Sequence, residues 1–215
     1  METNMTTKIF QNLKDIPLEG YKVEVKPLSP DWIEYSNYIV DYEKENLART
    51  NRLIPPYVGS NNHGDDFYND VIELVNELKP ESVADLGCGA GELLSKIDCK
   101  EKYGLTLHVG EVKYAREVYK LENVVPADMR DIDLYFRPNS IEMVIAFWSF
   151  NYLNPEERSE TMTKICRVLK PNKYFIYMDE YGHQATLIPE NDEHFVYNHK
   201  ETKWGRLSVL MKNVQ

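Results

Sequence analysis

The chain has 215 residues, 42% of them hydrophobic and 28% charged, which is typical of a globular α/β domain with one buried core. Its 25 basic and 35 acidic side chains give a formal net charge of −10, which argues against binding of nucleic acid through a basic surface. No apolar stretch reaches the roughly 20 residues of a membrane-spanning helix. We expect a cytoplasmic protein with reduced cysteines and no metal, because Cys88, Cys99 and Cys166 lack metal-binding spacing and no signal segment precedes them.

Residues 1–56 differ from the rest of the chain and predict an N-terminal extension. They contain prolines at 17, 27, 30, 55 and 56 and one amphipathic stretch, in which Trp32, Tyr35, Ile39 and Tyr42 recur at helical spacing. This helix either packs on the main domain or covers a site as a lid, and the pattern leaves both open. We place the main domain at residues 57–215.

From residue 57 onwards, helical and strand patterns alternate. Helices are predicted over 65–78, from Gly91, over 111–121 and over 155–169, and strands over 82–86, 102–107, 123–127, 141–147 and 174–179. Residues 193–198 and 206–212 predict an antiparallel hairpin with Gly205 at its turn. In the third helix, Val112, Ala115, Val118 and Tyr119 are expected to face inward. This alternation predicts a parallel, doubly wound sheet with helices on both faces.

The segment Asp85-Leu86-Gly87-Cys88-Gly89-Ala90-Gly91 places an acid at the end of the first strand and glycine at every second position after it. A dinucleotide-binding loop spaces its last two glycines three apart, and a P-loop needs Lys-Ser/Thr after its last glycine, where this chain has Glu92-Leu93. Both phosphate-binding alternatives therefore fit poorly. The acids on either side of the loop favour a cationic ligand instead.

Four segments, in this order, resemble the class I S-adenosylmethionine-dependent methyltransferases: "VADLGCGAG", "ENVVPADMRDI", "PNSIEMVIAFWSFNYL" and "ICRVLKPNKYFIYMD". The resemblance covers roughly residues 57–179. It implies a Rossmann-like, doubly wound, seven-stranded sheet, mostly parallel with an antiparallel C-terminal hairpin strand. It also implies S-adenosylmethionine as cofactor and S-adenosylhomocysteine as product.

The resemblance assigns roles to the loop. Gly87 and Gly89 would clear room for the methionine part of the cofactor, Gly91 would let the following helix pack closely, and Asp85 would balance the positive end of the cofactor. The alternative for Asp85 is a carboxylate that braces the loop. Asp128 would accept the adenine amino group. The remaining expected cofactor contacts are Tyr57, Thr106, Leu107, Met129 and Phe147.

The chain departs from the family at the ribose site. Most members carry an acid at the end of the second strand, where this chain has Thr106. A branch that includes the cyclopropane fatty acid synthases also has Gly-x-Thr-Leu there and uses a glutamine five residues later, where this chain has Glu111. We expect Glu111 to bind the ribose hydroxyls. The alternative is a solvated acid in the first turn of a helix.

The sequence is less informative about the residues that contact the methyl acceptor. By resemblance, Asn151 and Tyr152 position the acceptor, and the alternative is packing of the following helix. The leading hypothesis is a methyltransferase acting on a small molecule. Methylenation of a lipid-like acceptor and cofactor binding without turnover remain open, and no pattern indicates the oligomeric state.

Overall fold

The computed structural model describes residues 13–15, 66, 68–180, 195–203 and 205–213. The predicted N-terminal helix, the domain boundary at 56, Tyr57 and most of the connection between the fifth strand and the hairpin lie outside them. No helix in this part of the chain combines the length and the apolar character needed to cross a membrane.

Seven strands form one sheet in the order β3-β2-β1-β4-β5-β7-β6. The strands β1 to β5 pair in parallel, and β7 is antiparallel to both β5 and β6. This arrangement confirms the predicted α/β sheet with its antiparallel hairpin. The strands are β1 (Ser82–Leu86), β2 (Glu101–Thr106), β3 (Val124–Pro126), β4 (Ile141–Phe147), β5 (Leu169–Glu180), β6 (Phe195–Glu201) and β7 (Gly205–Lys212).

The helices connect the parallel strands. They are α1 (Asn69–Leu78), α2 (Glu92–Lys96), α3 (Val109–Glu117), α4 (Ile132–Tyr135) and α5 (Pro155–Val168). Short 3-10 helices occur at Leu13–Asp15, Met129–Asp131 and Phe150–Tyr152. The start of α5 is fixed by its sequence, since Pro155 is in the first turn and Asn154 and Glu157 form a capping box.

Both faces of the sheet are covered by apolar side chains. Along β4, Val144 and Ala146 belong to one buried cluster, whereas Met143 and Ile145 belong to another. Because successive side chains of a strand point to opposite faces, these clusters lie on opposite sides of the sheet. The near-continuous apolar character of this strand in the sequence has the same cause.

The prediction for the third helix was wrong at its C-terminal end. The helix α3 ends at Glu117, and Val118 is 51% exposed instead of buried. Lys120 then adopts a left-handed conformation, with φ of 60°, which turns the chain back. As a result, Leu121 takes the buried position, and its N–H donates to the carbonyl of Ala115.

The amino end of the sheet is held by the carboxylate of Glu142, at the start of β4. It accepts hydrogen bonds from the Glu81 N–H, Lys170 Nζ and Lys173 Nζ at 3.1, 3.1 and 2.9 Å. Burial by itself raises the pKa of Glu142, but these donors outweigh it and hold the pKa at about 2. Charged hydrogen bonds to Glu142 therefore stabilise the amino end of the sheet. The candidate site lies at the opposite edge, at the carboxyl ends of the strands.

Candidate functional site

A recess lies at the carboxyl ends of β1, β2 and β3, beside the point where the strand order reverses between β1 and β4. The recess is narrow and partly open to solvent. In open α/β sheets, ligands bind at such a switch point. Its lining residues are Gly87, Leu105, Thr106, Leu107, Ala127, Asp128, Met129 and Leu153.

The glycine loop is anchored on β2, because the N–H groups of Gly87 and Cys88 both donate to the carbonyl of Leu105. The three loop glycines, at 87, 89 and 91, have φ values of 77°, 52° and 82°. This left-handed region strongly favours glycine. The loop therefore needs glycine at all three positions for its backbone alone.

The space beside each loop glycine differs. A Cβ on Gly87 would lie 2.4 Å from the Cβ of Ser149, so a side chain would clash there, while the backbone of Gly87 lines the recess. A Cβ on Gly91 would meet Leu121 at 2.7 Å and Ala115 at 3.3 Å, so its close partners are α3 and the turn after it. Beside Gly89, the nearest atom is Oε1 of Glu111, at 3.7 Å. Gly89 is thus the one of the three loop glycines at which a Cβ would make an ordinary van der Waals contact instead of a clash.

Sequence reasoning missed Gly104, which supports the loop from below. A Cβ there would lie 2.6 Å from the Sγ atom of Cys88 and 2.9 Å from Val124. Burial raises the pKa of the Cys88 thiol well above its usual value, and the charges of Asp85 and Glu111 raise it further. The thiol is therefore an unreactive packing group.

Asp85, at the end of β1, is 2% exposed. Burial raises the pKa of its carboxyl group to about 7. Among the described residues, no cationic side chain forms an ion pair with it. A ligand that carries a positive charge would therefore stabilise the ionised form of Asp85.

Thr106 and Glu111 form a buried pair next to Gly89. The Thr106 hydroxyl donates to Oε2 of Glu111 at 2.5 Å, and the two residues are 6% and 3% exposed. The other carboxylate oxygen, Oε1, is the atom that a Cβ on Gly89 would meet first, at 3.7 Å. Glu111 is thus a buried acid directed at the loop, unlike the solvated helix acid that was the alternative.

Asp128 lies on the recess at 5% exposure. Its carboxylate accepts a hydrogen bond from the backbone N–H of Arg130 at 2.9 Å and is paired with the guanidinium group of the same residue. Arg130 was not a candidate residue in the sequence interpretation. The sequence gives only a weak indication of the Asp128–Arg130 pair. Arg130 lies two residues after Asp128, a spacing at which acidic side chains often form local hydrogen bonds in turns.

The segment after β4 carries the residues expected on the acceptor side. The Asn151 carbonyl accepts from Nη2 of Arg158 at 2.9 Å, and the Leu153 carbonyl accepts from its Nε at 2.8 Å. Oδ1 of Asn151 is buried without a hydrogen-bond partner within the described part of the chain. Tyr152 is half-buried against the main core, as the packing alternative requires.

Phe147 packs away from the lining of the recess. Its ring lies 5.4 Å from the ring of Tyr68 and 6.3 Å from that of Trp148. Burial raises the pKa of Tyr68, and the charges of Glu92 and Asp85 add to this effect. Tyr68, which sequence reasoning did not single out, therefore lies close to the acids of the loop.

The donors and acceptors around the recess suit an adenosyl amino acid better than a metal. Within residues 13–15, 66, 68–180, 195–203 and 205–213, no group of three or more His, Cys, Asp or Glu side chains could hold a metal ion. Buried carboxyl groups instead stand at Asp85, Glu111 and Asp128. These acids match a ligand with an ammonium group, hydroxyl groups and an amino group.

Comparison with known proteins agrees with this geometry. Residues 84–177 match a family model described as a methyltransferase domain. An uncharacterized methyltransferase of Geobacillus sp. (strain WCH70) is 27% identical over 115 residues, which are 52% of this chain and 53% of that protein. Phosphoethanolamine N-methyltransferase 1 of Triticum aestivum is 24% identical over 122 residues, 54% of this chain and 24% of that protein. The matches thus span about half or less of these relatives.

Among solved structures, the fold is similar to N-methyltransferase NodS from Bradyrhizobium japonicum WM9 in complex with S-adenosyl-L-homocysteine. The TM-score is 0.63 at 12% identity, over 81% of this chain and 98% of that one. At this identity the likeness concerns the fold. It confirms the predicted Rossmann-like architecture.

Binding of a cationic ligand beside Asp85 should depend on pH. The raised pKa, about 7, means that the ionised carboxylate increases as pH rises. We expect the affinity for S-adenosylhomocysteine to increase roughly tenfold between about pH 6 and pH 8. Calorimetry over this range measures it, with Asp85→Asn as the control that removes the titrating group. An equal slope in wild type and Asp85→Asn would contradict the assignment.

Two glycine substitutions should separate folding from binding. Gly87→Ala adds a clash with Ser149 to the backbone strain and should lower the free energy of unfolding by about 2–5 kcal/mol. Gly89→Ala should lower it by only about 1–2 kcal/mol, because the strain acts alone, while weakening S-adenosylhomocysteine binding. Urea unfolding and calorimetry measure the two effects.

The double variant Gly87→Ala/Ser149→Gly is the matched control, since it removes the clashing Cβ atom. It should recover part of the lost stability. If Gly89→Ala unfolds as readily as Gly87→Ala, Gly89 is a structural residue and its role in binding is wrong.

Proposed function

We propose that residues 84–177, which match the methyltransferase domain model, belong to a class I S-adenosylmethionine-dependent methyltransferase, and that the protein transfers a methyl group from that cofactor to a small-molecule acceptor. The observation that carries the proposal is the buried Thr106–Glu111 pair. The second carboxylate oxygen of Glu111 lies beside Gly89, and the pair stands at the end of β2, between the acids at the ends of β1 and β3. A carboxylate in this place can accept two hydrogen bonds from a ribose.

The proposed cofactor site assigns one part of the ligand to each acid. Asp85 balances the positively charged amino acid end, Glu111 accepts the ribose hydroxyl groups, and Asp128 accepts the adenine amino group. Leu107 and Met129 line the recess beside Asp128 and supply apolar surface for the adenine. Tyr57 and Phe147 remain predicted contacts of the methionine part.

When bound, S-adenosylmethionine supplies a methyl group made electrophilic by its sulfonium centre. The protein then has to orient the acceptor and exclude water. Asn151 and Tyr152 are the proposed acceptor-positioning residues. Arg158 holds their turn through the carbonyls of Asn151 and Leu153, so the turn is fixed by α5 before any acceptor binds.

A small-molecule acceptor is supported by two observations. The net charge of −10 disfavours a polyanionic substrate. The wheat relative is named for a small phosphoamine substrate, which supports the same class of acceptor here. The cytoplasmic location that reduced cysteines indicate, and a lid role for residues 1–56, stay predictions.

Cofactor binding should depend on Glu111. We expect Glu111→Ala to weaken S-adenosylhomocysteine binding at least about tenfold, because hydrogen bonds to a charged group contribute about 1.5–3 kcal/mol. Glu111→Gln keeps an acceptor oxygen and should stay within about threefold of wild type. Glu117→Ala, an exposed acid on the same helix, is the control in the same calorimetric titration. A loss below about threefold in Glu111→Ala would sink the ribose assignment.

Turnover should be visible as formation of S-adenosylhomocysteine. We expect product when wild type is incubated with S-adenosylmethionine and a panel of small amines, carboxylates and phenols. Asn151→Ala should reduce the rate while leaving the affinity for S-adenosylhomocysteine unchanged, because the residue acts on the acceptor.

A lipid panel completes this assay. Product only with unsaturated lipids, and with a cyclopropane ring in the lipid, would point to methylenation. Tight cofactor binding without product on any acceptor would point to a binding protein without turnover. Either result overturns the proposed small-molecule methyl transfer.

A further inference from the structure

Arg130 is a buried arginine between two carboxylates, and the proposed function as stated so far does not use it. It is 6% exposed. Its Nε lies 3.0 Å from both oxygens of Asp128, and Nη2 lies 2.5 Å from Oδ2. On the other side, Nη1 lies 2.6 Å from Oε1 of Glu157.

The contacts with Arg130 fix the direction of the Asp128 carboxylate. Three N–H groups of Arg130, one from the backbone and two from the guanidinium, donate to its two oxygens, and the Nε–H is shared between both. A carboxylate offers about four lone-pair positions. Because three N–H groups serve these four positions, the carboxylate keeps acceptor capacity for one further donor, which takes over one half of the shared contact. Asp128 lies on the lining of the recess, where such a donor can approach.

Through Glu157, the same guanidinium reaches the start of α5. Oε2 of Glu157 accepts from the N–H of Asn154 at 3.0 Å, and the side chain of Asn154 caps the helix in return. Leu153, one residue earlier, lines the recess together with Asp128. Arg130 thus joins two walls of the recess, one from the end of β3 and one from the start of α5.

Stability alone does not require such an arrangement. Replacing a buried ion-pair triad by apolar residues of similar volume is often neutral or stabilising. A planar guanidinium can contact two carboxylates in fixed directions, which a lysine cannot do. The triad therefore favours a role in orientation.

We infer that Arg130 is a positioning residue for cofactor recognition: it orients Asp128 so that its remaining acceptor position meets the adenine amino group, and it holds the start of α5 against the same pocket. This inference rests on the proposed function. It adds a residue that sets specificity for the amino-substituted purine.

The test compares two ligands, S-adenosylhomocysteine and S-inosylhomocysteine, which has an oxo group in place of the adenine amino group. Calorimetry measures the ratio of their dissociation constants. Wild type should prefer the adenosyl ligand at least about tenfold. Arg130→Lys keeps the positive charge but loses the planar set of N–H donors, and its preference for the adenosyl ligand should fall below about threefold.

Arg167→Lys is the matched control, because Arg167 also joins α5 to an acid that follows β3, Asp133 at 3.5 Å, but its side chain is 63% exposed. Its preference should remain within about twofold of wild type. If Arg130→Lys folds poorly, Glu157→Ala still tests the inference. The Glu157 side chain is 20% exposed, so it is the less buried partner of the ion pair. Releasing one end of Arg130 should reduce the preference about two- to threefold.

The outcomes separate the two proposals. If wild type binds neither ligand, the proposed function is wrong and the inference falls with it. If wild type binds S-adenosylhomocysteine but shows no preference, or if Arg130→Lys retains the full preference, the inference alone is overturned. An unchanged ratio in Glu157→Ala overturns the link to α5.

Discussion

The desolvation of carboxyl groups at the ends of β1, β2 and β3 is the constraint on which this site depends. An ionised carboxylate buried without a partner is strongly unfavourable. The chain meets this constraint differently at Asp85, Glu111 and Asp128. Burial raises the pKa of Asp85 to about 7, Glu111 accepts the Thr106 hydroxyl, and Asp128 is paired with Arg130. These differences determine which group can respond to a ligand.

The backbone supplies the geometry for these acids. Parallel pairing brings the ends of β1, β2 and β3 to one edge of the sheet, and the left-handed glycine loop passes over it. The loop is held by the Leu105 carbonyl below and by Ser149 at its side. A Cβ would clash with protein atoms at Gly87 and Gly91 but not at Gly89, where it would meet Oε1 of Glu111 at 3.7 Å. The backbone of Gly87 itself lines the recess, so the loop borders the site through its main chain.

Much of the fold follows from local pattern. The strand at 141–147 has its predicted bounds, and α5 begins at the predicted Pro155, because a continuous apolar run and a capping box are encoded within a few residues. Val118 shows where this reasoning ends. Its helical spacing predicted burial, yet a left-handed residue at Lys120 ended the pattern and placed Leu121 inside. Periodicity does not carry information on where a chain reverses.

The sequence by itself determined the order of strands and helices, the left-handed loop and the identity of the acids, because these depend on residue type and near neighbours. Only the tertiary structure decided what each residue contacts. It placed Ser149 beside Gly87, 62 positions earlier in the chain, and joined Arg130 to Glu157, 27 positions later. Such contacts arise when separate strands and helices pack, and no local pattern specifies them.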